Sequence, residues 1–250
     1  MLRFSSVRVL LLSATCFYLI ISLYTQSTTT IYTQTTPTLL APAASPIAEQ
    51  PLVNFVKKTV TTLRHTAYKL GGTRFDAIRG IYIIDCSAYV DRLLRTVFPR
   101  AYQSLVNAIG TKIPNSKNYY DFFMGLSHIS NPYWSKVDSV SQLHPGDILV
   151  FCKKNIARAR AAGHVMVIMS KPIPCAEGGF SVQVADSAPF AHSQDTRSAQ
   201  HGGGIGIGTL MLKADPQTGK PAAYAWKEGS AWNSSVKFAM ARPIENKAFV

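Results

Sequence analysis

Three residues have the types and placement to do chemistry together: Cys86, His164 and Asp186. Cys86 follows Asp85 at the start of a helical pattern, where free backbone N–H groups and the helix dipole favour an anionic sulfur and a nearby oxyanion. A lone cysteine is more often a small buried hydrophobe, so the assignment needs a partner. In GHVMVIM, strand alternation puts His164, Met166 and Ile168 on one face and Val165, Val167 and Met169 on the other. In FSVQVADS, Phe180, Val182, Val184 and Asp186 share a face, so each strand carries one polar residue at the end of an apolar row. If the two strands pair as a hairpin with 164 opposite 186, the turn centres on Cys175 in KPIPCAEGG, a loop by composition. A buried carboxylate needs a partner. Asp186 would fix the imidazole of His164 by one ring nitrogen and leave the other to face Cys86, the arrangement of an activated thiol nucleophile. The plainer alternative is a structural His–Asp pair with no nucleophile. No second His or Cys stands at ligand spacing near His164, so neither a metal nor a cofactor is expected.

The elements that must position these residues are readable from periodicity. Pro51 opens a helical stripe of Leu52, Phe55, Val56, Val60, Leu63, Ala67 and Leu70, and Gly71-Gly72 fit a helix stop. After the apolar run IYII, a second helix is expected from Cys86 to about Val97. It has Asp85 as N-cap, Val90, Leu93, Leu94 and Val97 inward, Asp91, Arg92 and Arg95 outward, and Pro99 ending it. Residues 100–136 read as loops with a short helix around Tyr119 to Met124, and the aromatic residues Tyr119, Tyr120, Phe122, Phe123 and Trp134 are expected there as specificity determinants. Beyond Pro145-Gly146 come short strands: DILVF, GHVMVIM, FSVQVADS, TLMLKAD, PAAYAWK and VKFAMARP. Helices first and antiparallel strands second give an α+β domain with N-terminal helices packed on a central antiparallel sheet.

Four short motifs in order strengthen the case. Tyr68-Lys69-Leu70-Gly71-Gly72, Asp85-Cys86-Ser87-Ala88, Pro145-Gly146-Asp147 and Gly163-His164-Val165 together resemble the Y-x-x-G-G, D-C-S-G, P-G-D and G-H-V of the NlpC-type family of papain-like cell-wall hydrolases. The resemblance covers about residues 51 to 243. It implies a papain-like fold, Cys86 as nucleophile, His164 as base, and Tyr68 with the Cys86 N–H at the oxyanion. It also implies amide cleavage, most plausibly in peptidoglycan stem peptides. Ala88 replaces the usual glycine, the gap from Gly72 to Cys86 is long and adds RFDAIRG as a loop, and Asp186 stands where a histidine is common. Thiol acyl transfer, or a non-catalytic cell-wall binding module, are the alternatives for the same residues.

Lys and Arg outnumber Asp and Glu by 26 to 13, which suits a polyanionic partner such as peptidoglycan or another acidic wall polymer. No basic run with interleaved aromatics appears, so nucleic acid is not expected. Arg3 and Arg8 precede an apolar stretch over 9–24, the pattern of a signal peptide or a short signal anchor. Residues 1–24 are therefore read as export signal or membrane anchor, 25–50 as a Thr/Pro/Ala-rich linker, and 51–250 as the catalytic domain. The expected location is the bacterial periplasm or envelope, anchored or secreted. Cys16 lies in a poor lipobox, which disfavours lipidation.

The remaining cysteines, Cys152 and Cys175, belong to opposite ends of the proposed hairpin, roughly 20 Å apart, and are expected to stay unbridged. HGGGIGIG at 201–208 lacks phosphate-loop context and reads as a flexible turn. His65, His128, His144, His192 and His201 have no readable partner, so surface or loop roles are the default. Lys153, Lys154, Arg158 and Arg160 fall at the His164 end of the sheet, where they would steer an anionic substrate.

Overall fold

The first helix stops where its sequence turns to threonine. In the computed structural model, which describes residues 50–126, 131–155, 163–175, 179–197 and 202–244, α1 spans Pro51–Thr61 rather than running to Leu70. Thr59, Thr61 and Thr62 hydroxyls donate back to helix carbonyls, an alternative to the helical ladder that β-branched residues also disfavour. The chain then becomes strand β1, His65–Tyr68, and Leu70 is exposed. Of the proposed export segment and linker, 1–50, residues 1–49 lie outside the described residues. Among the described residues no helix is long and apolar enough to cross a membrane.

RFDAIRG is a hairpin and not a loop. β2 (Thr73–Asp76) pairs antiparallel with β3 (Ile81–Ile84), and β1 pairs parallel with β3 on its other side. This small sheet feeds directly into α2, Cys86–Val97, capped by Asp85 as expected. Pro99 ends α2 only by starting another helix, since proline suits a first helical turn. α3 is Pro99–Ile109 and α4 is Ser116–Gly125, so 100–136 is largely helical. Tyr119, Phe123 and Trp134 are core residues there, with the Trp134 Nε1–H donating to the Ala101 carbonyl, which removes them as specificity determinants.

The larger sheet carries every strand expected from the sequence plus β4, Trp134–Val137, and the short β7, Ile173–Pro174. The others are β5 (Ile148–Lys153), β6 (Gly163–Ile168), β8 (Gly179–Ala188), β9 (Gly204–Ala214), β10 (Pro221–Ala225) and β11 (Val236–Pro243). Their order is β10-β9-β8-β6-β5-β11-β4, antiparallel throughout, with β7 beside β8. The protein is α+β.

Two apolar layers hold the sheet. Val165, Val167 and Ala185 pack under α1–α4, where Leu52, Val56, Tyr89, Leu93 and Leu105 are buried. Met166, Ile168, Val182 and Val184 face the other way with Leu149, Phe151, Leu210 and Leu212. The sheet curls enough for the Tyr224 ring of β10 to stack 4.4 Å from Phe151 of β5 and to meet Phe238 of β11 edge-on at 6.3 Å.

Candidate active site

Cys86 is placed by the small sheet. Tyr68 and Ile84 are register partners on β1 and β3, so the end of β1 lies beside the turn into α2. The Asp85 carboxylate organises that turn: Oδ1 accepts from the Ala88 N–H at 2.8 Å and the Ser87 hydroxyl at 3.0 Å, and Oδ2 from the Gly71 N–H at 2.8 Å. Gly71 takes φ 73, and a Cβ on Gly72 would come within 2.9 Å of the Ile83 carbonyl oxygen. The paired glycines are thus required for β1 and β3 to converge on Cys86. Two bonds then lock the small sheet to the large one. The Ser187 hydroxyl donates to the Ile84 carbonyl at 2.7 Å, and the Ile205 N–H donates to the Thr66 hydroxyl at 2.8 Å. Ser187 adjoins Asp186 and Ile84 is two residues before Cys86, so this contact brings the helix start against the strand of the carboxylate.

His164 and Asp186 meet, though not as directly opposed partners. β6 and β8 pair Val167 with Ala185 and Ile168 with Val184, a register that runs on to Ala188 opposite His164. β7 also pairs with β8, Pro174 opposite Phe180, so the pairing is not centred on Cys175. A two-residue offset preserves faces, so the alternation argument still holds. His164 Nε2 lies 2.6 Å from Asp186 Oδ2, which leaves Nδ1 for the hydrogen bond to Cys86. Cys86, His164 and Asp186 are 6%, 7% and 0% exposed, which makes their mutual electrostatics strong.

Asp186 is a hub. His192 Nε2 also contacts Oδ2, at 3.0 Å, while Arg197 Nη2 approaches Oδ1 at 2.9 Å. His192 sits in a loop as expected but is buried, its ring stacked on Trp226 at 4.0 Å with Nδ1 3.1 Å from the Trp226 carbonyl, so the surface role does not apply. Trp226 also meets His164 edge-on at 5.3 Å. Asp195 braces the loop: its Oδ2 accepts from the His192 N–H at 2.7 Å and Arg197 Nη2 at 2.6 Å, its Oδ1 from Arg197 Nε at 2.9 Å. This loop lies on β9. A Cβ at Gly206 would fall 2.5 Å from Arg197 Nε, and one at Gly208 would fall 2.6 Å from Asp195 Oδ2. The glycine run is therefore a strand whose bare face admits the loop, and its described part, 202–208, is not the flexible turn expected.

The charges are mutually consistent. Burial works against an ionised Asp186, but hydrogen bonds from His164 and His192 and the charge of Arg197 hold its carboxyl far below the usual range. Burial works against a charged His164, yet the Cys86 charge and the Asp186 hydrogen bond raise it to about 10. Tyr68 is raised to about 12, first by burial and then by the Cys86 and Asp85 charges, so its hydroxyl keeps its proton. These couplings put Tyr68 and His164 both within electrostatic reach of Cys86.

Other predicted positions resolve simply. Asp91 is buried rather than outward, taking a 2.7 Å hydrogen bond from the Tyr119 hydroxyl. Asp147 of the Pro-Gly-Asp turn is buried against Arg242 Nε at 2.7 Å and the His144 N–H at 2.8 Å, with His144 Nδ1 2.6 Å from Arg242 Nη2. His65 is exposed, and Cys86, Cys152 and Cys175 are free thiols. His128, His201, Arg158 and Arg160 lie outside the described residues. No group of three or more His, Cys, Asp or Glu among the described residues is placed to hold a metal. The chain has no match among models of protein families, curated proteins or solved structures.

Proposed function

We propose that this chain is an exported cysteine hydrolase with a papain-like, NlpC-type fold, cleaving amide bonds in peptidoglycan stem peptides. The observation that carries the reading is His164, held at Nε2 by an ionised Asp186 and coupled to Cys86. The Cys86 thiolate attacks the scissile carbonyl carbon, and the oxygen, now anionic, accepts from the Cys86 N–H and the Tyr68 hydroxyl. The tetrahedral intermediate collapses to a thioester as the imidazolium of His164 gives its proton to the leaving amine. The now neutral His164 takes a proton from water, whose oxygen attacks the thioester carbonyl. Collapse expels the Cys86 sulfur and releases the acid. Asp186 orients the ring throughout and keeps its own charge. The basic balance of the chain suits an acidic wall polymer as partner.

The test is digestion of purified peptidoglycan by the wild type and by Cys86→Ser, with the released fragments identified by mass. Products that need Cys86 are expected. Their absence, with Cys86 still selectively alkylated by a thiol reagent, would point to acyl transfer instead. A Cys86 with no selective reactivity, and wall binding that persists in Cys86→Ser, would make the chain a binding module.

A further inference from the structure

A second concavity lies one ring away from His164. Phe151 is the register partner of His164 across β5 and β6, with ring centroids 5.8 Å apart. Phe151 also lines a cleft of about 570 Å³. Its apolar part is the stacked pair Phe151 and Tyr224, and its polar residues include Lys153, Lys154, Asn155 and Asn233. Among the described residues no acidic one lines it. Lys154 Nζ donates to the Ser234 carbonyl at 2.8 Å, a neutral acceptor that fixes the ammonium without neutralising it. Among the described residues neither lysine has a carboxylate within ion-pair distance, whereas Arg197 and Arg242 elsewhere in the domain both do. Two cations with no carboxylate partner among the described residues share this cleft with Phe151 and Tyr224, one ring from the base, and form a site for a negatively charged group attached to something flat or apolar.

We propose that this cleft is a substrate subsite for an anionic group, a carboxylate or a phosphate, held next to the bond that Cys86 attacks. The proposal rests on the thiol-hydrolase reading and adds the charge of the substrate to it. Steering by two cations at a cleft mouth raises encounter rates by about tenfold or more at low ionic strength, and the effect fades as salt screens it.

The experiment uses the full chain and N-iodoacetyl dipeptides of matched length ending in glutamate, phosphoserine or glutamine, with alkylation of Cys86 followed by mass. In low salt the wild type is expected to react about tenfold faster with the acidic probes than with the glutamine probe. In Lys153→Ala/Lys154→Ala that advantage should shrink to about twofold or less, and Lys153→Glu should remove or invert it, with the glutamine rate unchanged. The unchanged glutamine rate reports an intact fold and nucleophile. The two acidic arms separate carboxylate from phosphate by which is favoured. A preference that survives in the double variant belongs to His164 itself and overturns the subsite. So does the lack of any preference in the wild type, while both results leave the nucleophile in place. No selective alkylation of Cys86 by any probe overturns the thiol reading and the subsite with it.

Discussion

Asp186 on β8 and Asp91 on α2 are both buried, 0% and 6% exposed, and they titrate in opposite directions. Asp186 receives two imidazole nitrogens and a guanidinium, and its carboxyl is held far below the usual carboxylate range. Asp91 receives one phenol hydroxyl from Tyr119. Burial dominates there, the Asp85 charge adds to it, and the carboxyl rises from 3.8 to about 7. Burial therefore sets the scale of the shift and the donors set its sign. Only the first arrangement can orient a histidine by charge. The second holds α2 to α4 with a carboxyl that is half protonated near neutrality.

Linkage turns the contrast into opposite pH slopes. For Asp186 the folded state binds its proton less tightly than the unfolded chain, so its contribution is present above about pH 4 and lost as pH falls below it. For Asp91 the folded state binds the proton more tightly. Its contribution is full below 3.8 and declines as pH rises to about 7.

The largest effect is expected at the hub. Asp186→Ala leaves Arg197 with Asp195 alone and His164 without its anchor, and urea unfolding at pH 7 should lose about 3–5 kcal/mol. A loss under about 1 kcal/mol would show that the hub is no more than a surface pair in effect. Next is Asp91→Asn, which keeps an acceptor for Tyr119 and removes the charge. At pH 8 it should gain on the order of 2–3 kcal/mol over the wild type and at pH 4 almost nothing, with the wild type alone losing stability from pH 4 to 7. Parallel pH profiles for the two proteins would erase the difference between the two carboxylates. Smaller still is His192→Phe, which keeps the stack on Trp226 and removes one donor to Asp186. It should cost about 1–2 kcal/mol by the same unfolding assay while His164 stays bonded. A cost equal to that of Asp186→Ala would make His192, and not the carboxylate, the centre of the cluster.

What the sequence made legible follows from local periodicity. Alternation in two strands put His164 and Asp186 on one face, and the Asp85–Cys86 helix start needed only cap chemistry. The rest of the hub comes from the loop at 192–197, where nothing periodic marks a residue as buried. One trace was present: Gly204, Gly206 and Gly208 alternate with isoleucines, and a strand with one bare face implies something packed closely there. Asp91 was hidden among Arg92 and Arg95, although its place three residues before Leu94 puts it on the buried side of α2. The long helix expected over 51–70 failed for another reason: threonine hydroxyls closed α1 early and released HTAY to pair with β3.

The coupling of Cys86 to His164 is the claim on which the chemistry depends, and the imidazole reports it directly. In ¹⁵N-histidine spectra followed with pH, His164 is expected to keep its second proton up to about 10 in the wild type. In Cys86→Ser the leading upward influence is gone, so the proton should leave at distinctly lower pH, with Asp186 still bonded at Nε2. A His164 that titrates near 6.5 in the wild type, or at the same pH in both proteins, would contradict the account.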